Sequence, residues 1–306
     1  MPPLSCVALP GLPPIAEGDD LAALIAAAAP EDLADGEVLV VAHKVVSKAE
    51  GRVRRLADIA PGERARGLAA EHRKDARLVQ AVLDESAEVL RAVDGVLICV
   101  TRHGFVCANA GIDQSNAAAG GELVLLPEDP DASARRLRTG IVAARGVRPA
   151  VVIADSFGRA WRLGQTDVAI GAAGLVPVDH WHGRPDAFGR TLRVTSIAIA
   201  DAAAAAADLA RAKDSREPAV LVRGIGRYVT HEDGPGAAAR GGAAWGASSP
   251  RRRGGGRGRS GGRRSRTSSA DAGRPRAHRS PEQTRIDVVW RHRGGFTGPQ
   301  RGVRRP

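Results

Sequence analysis

Aromatic side chains make up only 3% of the 306 residues, so a core built from this chain must be aliphatic. The same scarcity leaves few stacking platforms for single-stranded nucleic acid. Cysteine is sparse and odd in number: Cys6, Cys99 and Cys107 include no CxxC pair and offer no closed disulfide framework, which suits a reducing compartment. Residues 1 to 42 contain no Lys, Arg or His, so the basic n-region of a secretory signal is missing. The longest early apolar run, Leu21 to Ala29, falls far short of the roughly 20 residues that span a bilayer. These absences predict a cytoplasmic protein with no membrane association. Lysine is scarce too. Lys44, Lys48, Lys74 and Lys213 are the full set and none follows a glycine, which excludes a Walker A loop. There is no HExxH, and Gly224-Ile225-Gly226 lacks the third glycine of a dinucleotide fingerprint.

The net charge of +11 is unevenly placed. Residues 240 to 306 hold 18 Arg, no Lys and 3 acids, whereas residues 1 to 239 are net acidic by about four charges. The Arg-rich stretch also has 14 Gly and almost no periodic apolar pattern, and such a composition cannot bury enough surface to offset its chain entropy. We therefore expect a folded body over 1–235 and a disordered low-complexity tail over 236–306. The tail's excess of Arg, Gly, Ala and Pro is what an out-of-frame reading of a GC-rich gene yields. A competing reading makes the chain a nucleic-acid-binding protein through this tail, with non-specific, salt-dependent phosphate contacts. The acidic body and the scarcity of aromatics among the arginines weigh against it.

Within the body the pattern alternates. After a Pro- and Gly-rich opening, read as a strand end and a loop, Asp19 and Asp20 precede LAALIAAAA and suit a helix N-terminus, because carboxylates accept from its free N–H groups. Glu37 to Val46 is a continuous β-branched run and predicts a strand buried on both faces. Helical segments are expected over about 62 to 92, and strands over Gly95 to Thr101 and Glu122 to Leu126. A helix with proline at its start follows over Pro130 to Arg145, then a strand over Ala150 to Ala154 that ends at Asp155. Leu192 to Ala200 reads as a strand, Asp201 to Lys213 as a helix and Ala219 to Arg223 as a strand. The alternation predicts an α/β (mixed α+β) body.

Two polar segments, Gly104 to Asn116 and Ala154 to Gly171, each follow an apolar strand, where ligands of α/β proteins usually bind. Asp113 and Asp155 together can hold Mg²⁺ or Mn²⁺, which prefer hard carboxylate oxygens, with Ser115, Asn116 and Ser156 completing a polar pocket. The alternative is that each Asp caps a helix or turn. In His43 to Arg52, Lys44 and Lys48 can neutralise a nucleotide's phosphates, or else are solvated loop charges. Trp161-Arg162 offers an aromatic face and a guanidinium to an anion, or packs at an interface. His180 and His182, without Cys or acidic partners at ligand spacing, are a weak metal pair.

In order along the chain, GLPPIAEGDDL, VVAHKVVSKAEGR, CANAGIDQSN, DSFGRAWRLGQTDVAIG, GRTLRVTSIAIAD and PAVLVRG resemble the coenzyme F420-0:L-glutamate (γ-glutamyl) ligase family over about Leu9 to Pro235. The resemblance implies an intertwined, two-lobed α/β homodimer that uses GTP and Mg²⁺ or Mn²⁺, with K⁺ as a further cation. Its reaction attaches L-glutamate to the lactyl carboxylate of a deazaflavin precursor through an acyl phosphate. By motif position Leu12, Pro13, Pro14 and Ile15 correspond to the nucleotide loop, and His43, Lys44, Lys48 and Asn116 to further GTP contacts. Asp113, Asp155 and Ser156 match the metal positions, and Lys44 and Lys48 are the expected catalytic cations. The chain departs from the pattern at Ala160, where the family usually has proline, and near Lys213, where some members place a glutamine metal ligand. A related amide ligase with another carboxylate substrate stays open.

Overall fold

The computed structural model describes residues 3–93, 95–114, 121–160 and 162–237. Asn116, Ser115, Trp161 and the stretch from 238 onward, with most of the expected tail, lie outside them. The first half runs β1 (Ser5–Ala8), α1 (Leu21–Ala28), β2 (Val38–Ala42), α2 (His43–Ala49), β3 (Val53–Arg55), α3 (Glu63–His72), α4 (Ala76–Asp84), β4 (Ser86–Val93), β5 (Val96–Thr101) and β6 (Val106–Ala108). The second half runs β7 (Glu122–Val124), α5 (Pro130–Arg145), β8 (Ala150–Gly158), β9 (Gln165–Ala173), β10 (Val178–His180), β11 (Ser196–Ala198), α6 (Ile199–Ala210) and β12 (Ala219–Arg223). The expected mixed α/β class is what forms.

The central sheet has the order β1-β12-β2-β8-β9. β2 and β8 are parallel, and β12 runs against both β1 and β2, so β1, β2 and β8 all point the same way. Their C-terminal ends share one sheet edge. Side chains alternate across the sheet. Leu39, Val41, Val151, Ile153 and Leu221 pack against α1 and α5 through Ile25, Leu137 and Ile141. Val38, Val40, Val152, Val220 and Val222 meet Ala200, Ala203, Ala204 and Ala207 of α6. A further core joins Leu78, Val79 and Val82 of α4 to Leu97 and Cys99 of β5 and Leu123 of β7.

Helix starts follow their caps. Asp20 accepts from Ala23 N at 3.0 Å to open α1, and Asp129 accepts from Ala132 N at 2.9 Å ahead of Pro130. Gly171 lets β9 lie against the start of α5, because a Cβ there would overlap the Pro130 carbonyl. We expect Gly171→Ala to cost about 1–3 kcal/mol, read as a lower midpoint in urea unfolding.

Three expectations are corrected. The run Glu37 to Val46 is not one strand: β2 stops at Ala42 and His43 opens α2, whose buried His43, Val46 and Ser47 follow i, i+3, i+4 spacing. The helix expected to about 92 ends at Asp84, and Ser86–Val93 is β4. Two register shifts in its pairing with β5 turn the inward residues Ser86, Val89 and Ala92 into a spacing of three, which imitates a helix. The strand expected over Leu192 to Ala200 is only Ser196–Ala198, and α6 already begins at Ile199.

Candidate active site

Several of the predicted residues that are described lie where these strands end. His43 follows β2 directly, and Asp155 lies one residue past Ala154, the register partner of Ala42. His43 is 2% exposed and its Nε2 sits 3.2 Å from Asp155 Oδ1, without the alignment of a hydrogen bond. Its other ring nitrogen is 3.4 Å from Ser47 Oγ. Lys44 forms an ion pair with Asp113, which is fixed by reciprocal 3.0 Å backbone bonds with Val124. Two neighbouring residues of α2 thus face two carboxylates from different parts of the chain. Lys48, one turn further along α2, is half-buried.

Asp155 Oδ1 accepts from Ser156 N at 2.8 Å. The register of β8 against β9 slips between Ile153 and Ala154, where β9 carries the extra residue Ile170, so a bulge lies beside Asp155, a common device near sites. Burial pushes the Cys107 thiol up to about 12, with the charge of Asp155 and then Cys99 adding to the shift. Cys107 is therefore a protonated neighbour and not a nucleophile.

The loop after β1 reaches the same edge. Leu9 N bonds Ala219 O and Gly18 N bonds Ala49 O, each at 2.9 Å, which brackets the loop between β12 and the end of α2. Ile15 is buried in the core and Leu12 packs against it, while Pro13 and Pro14 are exposed. The anchors face in and the prolines face out.

Two residues that sequence reasoning left without a role complete this edge. Asp167 of β9 is 1% exposed, accepts from Ser156 Oγ at 2.6 Å and pairs with Arg211. Its only sequence signal was its place inside GQTDVAIG. Lys213 reaches the edge as well, donating to Ser156 Oγ at 3.1 Å and to Asp208 at 3.0 Å.

Other candidates fall away from this cluster. His180 bonds Ser196 Oγ at 2.9 Å and His182 bonds the Arg193 carbonyl, so each is engaged across the hairpin of β10 and β11. Arg162 is exposed. A cleft lined by Asp20, Val46, Glu50, Ser133 and Arg136 opens near the end of α2, but no predicted site residue lines it.

Among the described residues no three His, Cys, Asp or Glu side chains converge as metal ligands. Asp113 and Asp155 offer hard carboxylate oxygens, and few protein ligands with several waters is the habit of Mg²⁺, so their chemistry fits a divalent ion that takes its remaining ligands from water and phosphate.

Strand ends that carry lysines and carboxylates are where an α/β protein can hold an anionic ligand with a cation. Residues 11–224 match the F420-0:Gamma-glutamyl ligase family, to which this chain belongs. It is 44% identical over 225 residues to the Coenzyme F420:L-glutamate ligase of Methanothermobacter thermautotrophicus, covering 72% of this chain and 89% of the relative. The protein of the same name from Archaeoglobus fulgidus is 48% identical over 216 residues, covering 70% of this chain and 85% of the relative. The chain is a ligase.

Proposed function

We propose that this ligase adds L-glutamate to the lactyl carboxylate of coenzyme F420-0, using GTP and Mg²⁺ or Mn²⁺, with K⁺ as an accessory cation, and acts as a homodimer. The observation that carries the reading is the pairing of the consecutive His43 and Lys44 with Asp155 and Asp113, with Ser156 next to Asp155, in a chain of this family.

Hydroxide is a poor leaving group, so a carboxylate must be activated before an amine can form an amide with it. An oxygen of the acceptor carboxylate attacks the γ-phosphorus of GTP, the bond to the β-phosphate oxygen breaks, and GDP leaves. The glutamate amine then attacks the acyl phosphate carbon, expels inorganic phosphate and loses a proton to solvent. A divalent ion held by Asp113, Asp155 and Ser156 would supply charge neutralisation at the phosphates. Lys44 and Lys48 place ammonium charge where negative charge develops on the transferred group. Because Lys44 is paired with Asp113 here, cation binding at Asp113 would release that ammonium for phosphate. Leu12 to Ile15 and His43 would border the nucleotide, and Asn116 belongs to the same proposed set. The exposed prolines offer a rigid rim for it.

The test is GDP release by the purified full chain with GTP and Mn²⁺, with and without F420-0 and L-glutamate, beside Asp113→Ala. We expect release to require both acceptors and to fall by roughly 10²-fold or more in the variant. Release indifferent to the acceptors, or undiminished in Asp113→Ala, would sink the reading.

A further inference from the structure

In the reading above Lys44 and Lys48 serve phosphate, and Asp113 and Asp155 serve a cation. L-Glutamate brings two carboxylates and an ammonium, whose counter-charges must come from elsewhere. A cavity of about 320 Å³ between the end of α2 and the start of α5 is lined by Glu50, Arg52, Glu128, Asp129 and Arg136. Every lining residue is charged, and both signs are present. The cavity adjoins the cleft beside Val46 and Ser133, with which it shares Glu50 and Arg136.

The backbone ties this cavity to the candidate site. Arg52 Nε donates to the Leu126 carbonyl at 3.1 Å, and Leu126 lies two residues beyond Val124, which holds Asp113 through its reciprocal bonds. Two residues of chain span at most about 7 Å. Along α2, Lys44 stands at one end of the helix and Glu50 just past the other. The cavity therefore sits one short backbone step from Asp113.

Both guanidiniums are held in place with donors left over. Arg136 Nη2 donates to Glu50 Oε1 at 2.6 Å and to Ser133 Oγ at 2.9 Å, which fixes the fork while the side chain stays 62% exposed. Arg52 is steadied by the Leu126 carbonyl and by Glu85 Oε2, 2.9 Å from its Nη2. A guanidinium carries five N–H donors, so each keeps several for a ligand, and its planar fork matches a carboxylate. On the acidic side, Asp129 caps α5 with one oxygen and Glu50 is held by Arg136, while Glu128 is exposed at the rim. Opposed arginines and carboxylates in one small cavity suit a ligand that carries both signs.

We propose that this cavity is the binding site for L-glutamate, with Arg136 and Arg52 taking its carboxylates and the acidic rim at Glu128 accommodating its ammonium. The inference rests on the glutamate-adding reading above and gives that substrate a site.

The experiment is steady-state GDP release by the full chain at saturating Mn²⁺ and F420-0, with L-glutamate and GTP each varied in turn, for wild type, Arg136→Gln, Arg136→Lys and Arg66→Gln. Arg66 is an exposed arginine of α3 and controls for loss of positive charge. Thermal melts accompany each variant. We expect Arg136→Gln to raise the KM for L-glutamate about 10- to 100-fold and to leave the KM for GTP unchanged. Arg136→Lys should recover part of the loss, because an ammonium keeps the charge without the fork. An unchanged KM for L-glutamate in a folded Arg136→Gln overturns the proposal, as does an equal rise in Arg66→Gln or a matching rise in the KM for GTP. If Arg136→Gln does not fold, Glu128→Gln on the exposed rim is read on the same scale: a raised KM for L-glutamate supports the proposal and an unchanged one overturns it. A wild type whose GDP release ignores L-glutamate overturns this inference together with the glutamate-adding reading. A glutamate-dependent wild type beside an unaffected Arg136→Gln overturns this inference alone.

Discussion

Asp155→Ala is expected to lower kcat for GDP formation by roughly 10²- to 10³-fold while leaving the fold intact. The carboxylate lies within β8, three residues before its end at Gly158, and is 13% exposed. Its neighbours are His43 Nε2, the Ser156 amide and the raised thiol of Cys107. None is a permanent positive charge that would be stranded by its removal. The substitution therefore removes a hydrogen-bond acceptor and strands no buried cation, and the thermal midpoint should move little. Asp113→Ala differs, because it also takes the partner from Lys44. Initial rates over a Mn²⁺ series, set beside a thermal melt, separate the two effects. A folded Asp155→Ala variant that keeps activity within tenfold of wild type would remove Asp155 from the chemistry.

The parts of the fold legible in sequence were those where one local signal had no competitor. Asp20 before an apolar run caps α1 by accepting a backbone N–H, Pro130 presets the first turn of α5, and both helices start there. Buried strands such as β2 and β12 show as continuous β-branched runs because both of their faces meet helices. The failures share a physical cause, which is tertiary structure changing the apparent period. Bulges in β4 spaced its inward residues by three, and the β-branched Val45 and Val46 entered α2 because packing outweighed propensity. β9 was hidden by its polar first half, of which Asp167 is nevertheless buried.

For the site, residue type and strand-end position led to Asp113 and Asp155, and the family resemblance supplied their grouping with His43, Lys44 and Ser156. Sequence spacing alone could not have paired Lys44 with Asp113 or Ser156 with Asp167. The first contact depends on α2 lying beside β7, whose Val124 bridges Asp113, and the second on β9 lying beside β8 in a register that only the folded sheet defines. Asp167 and Arg211 were missed because a buried ion pair has no local pattern.

Arg138→Ala is expected to cost about 3–5 kcal/mol of stability. Arg138 is 1% exposed, an unusual place for a guanidinium, and all of its donors are directed inward. Nε donates to the Pro149 carbonyl at 2.9 Å, Nη1 to Asp233 at 2.8 Å and Nη2 to the Thr230 carbonyl at 2.6 Å. Room for the group exists because position 174 is a glycine with φ +73°, where a Cβ would overlap the guanidinium. Around it Gly174 N bonds Asp233 O, Thr230 N bonds Gly174 O and Val176 N bonds Tyr228 O, each at 2.8 Å, so the 228–233 segment is laced to the chain after β9. Truncation to alanine leaves a cavity and two carbonyls without their donor, whereas Asp233, 41% exposed, can be rehydrated. Asp233→Ala should destabilise as well, because it leaves a guanidinium that is 1% exposed without its counter-charge while sparing its two carbonyl partners. In urea unfolding both variants should lower the midpoint, and trypsin should cut Arg138→Ala sooner at Arg227. An Arg138→Ala midpoint equal to that of wild type would mean that the buried guanidinium does not carry the clasp.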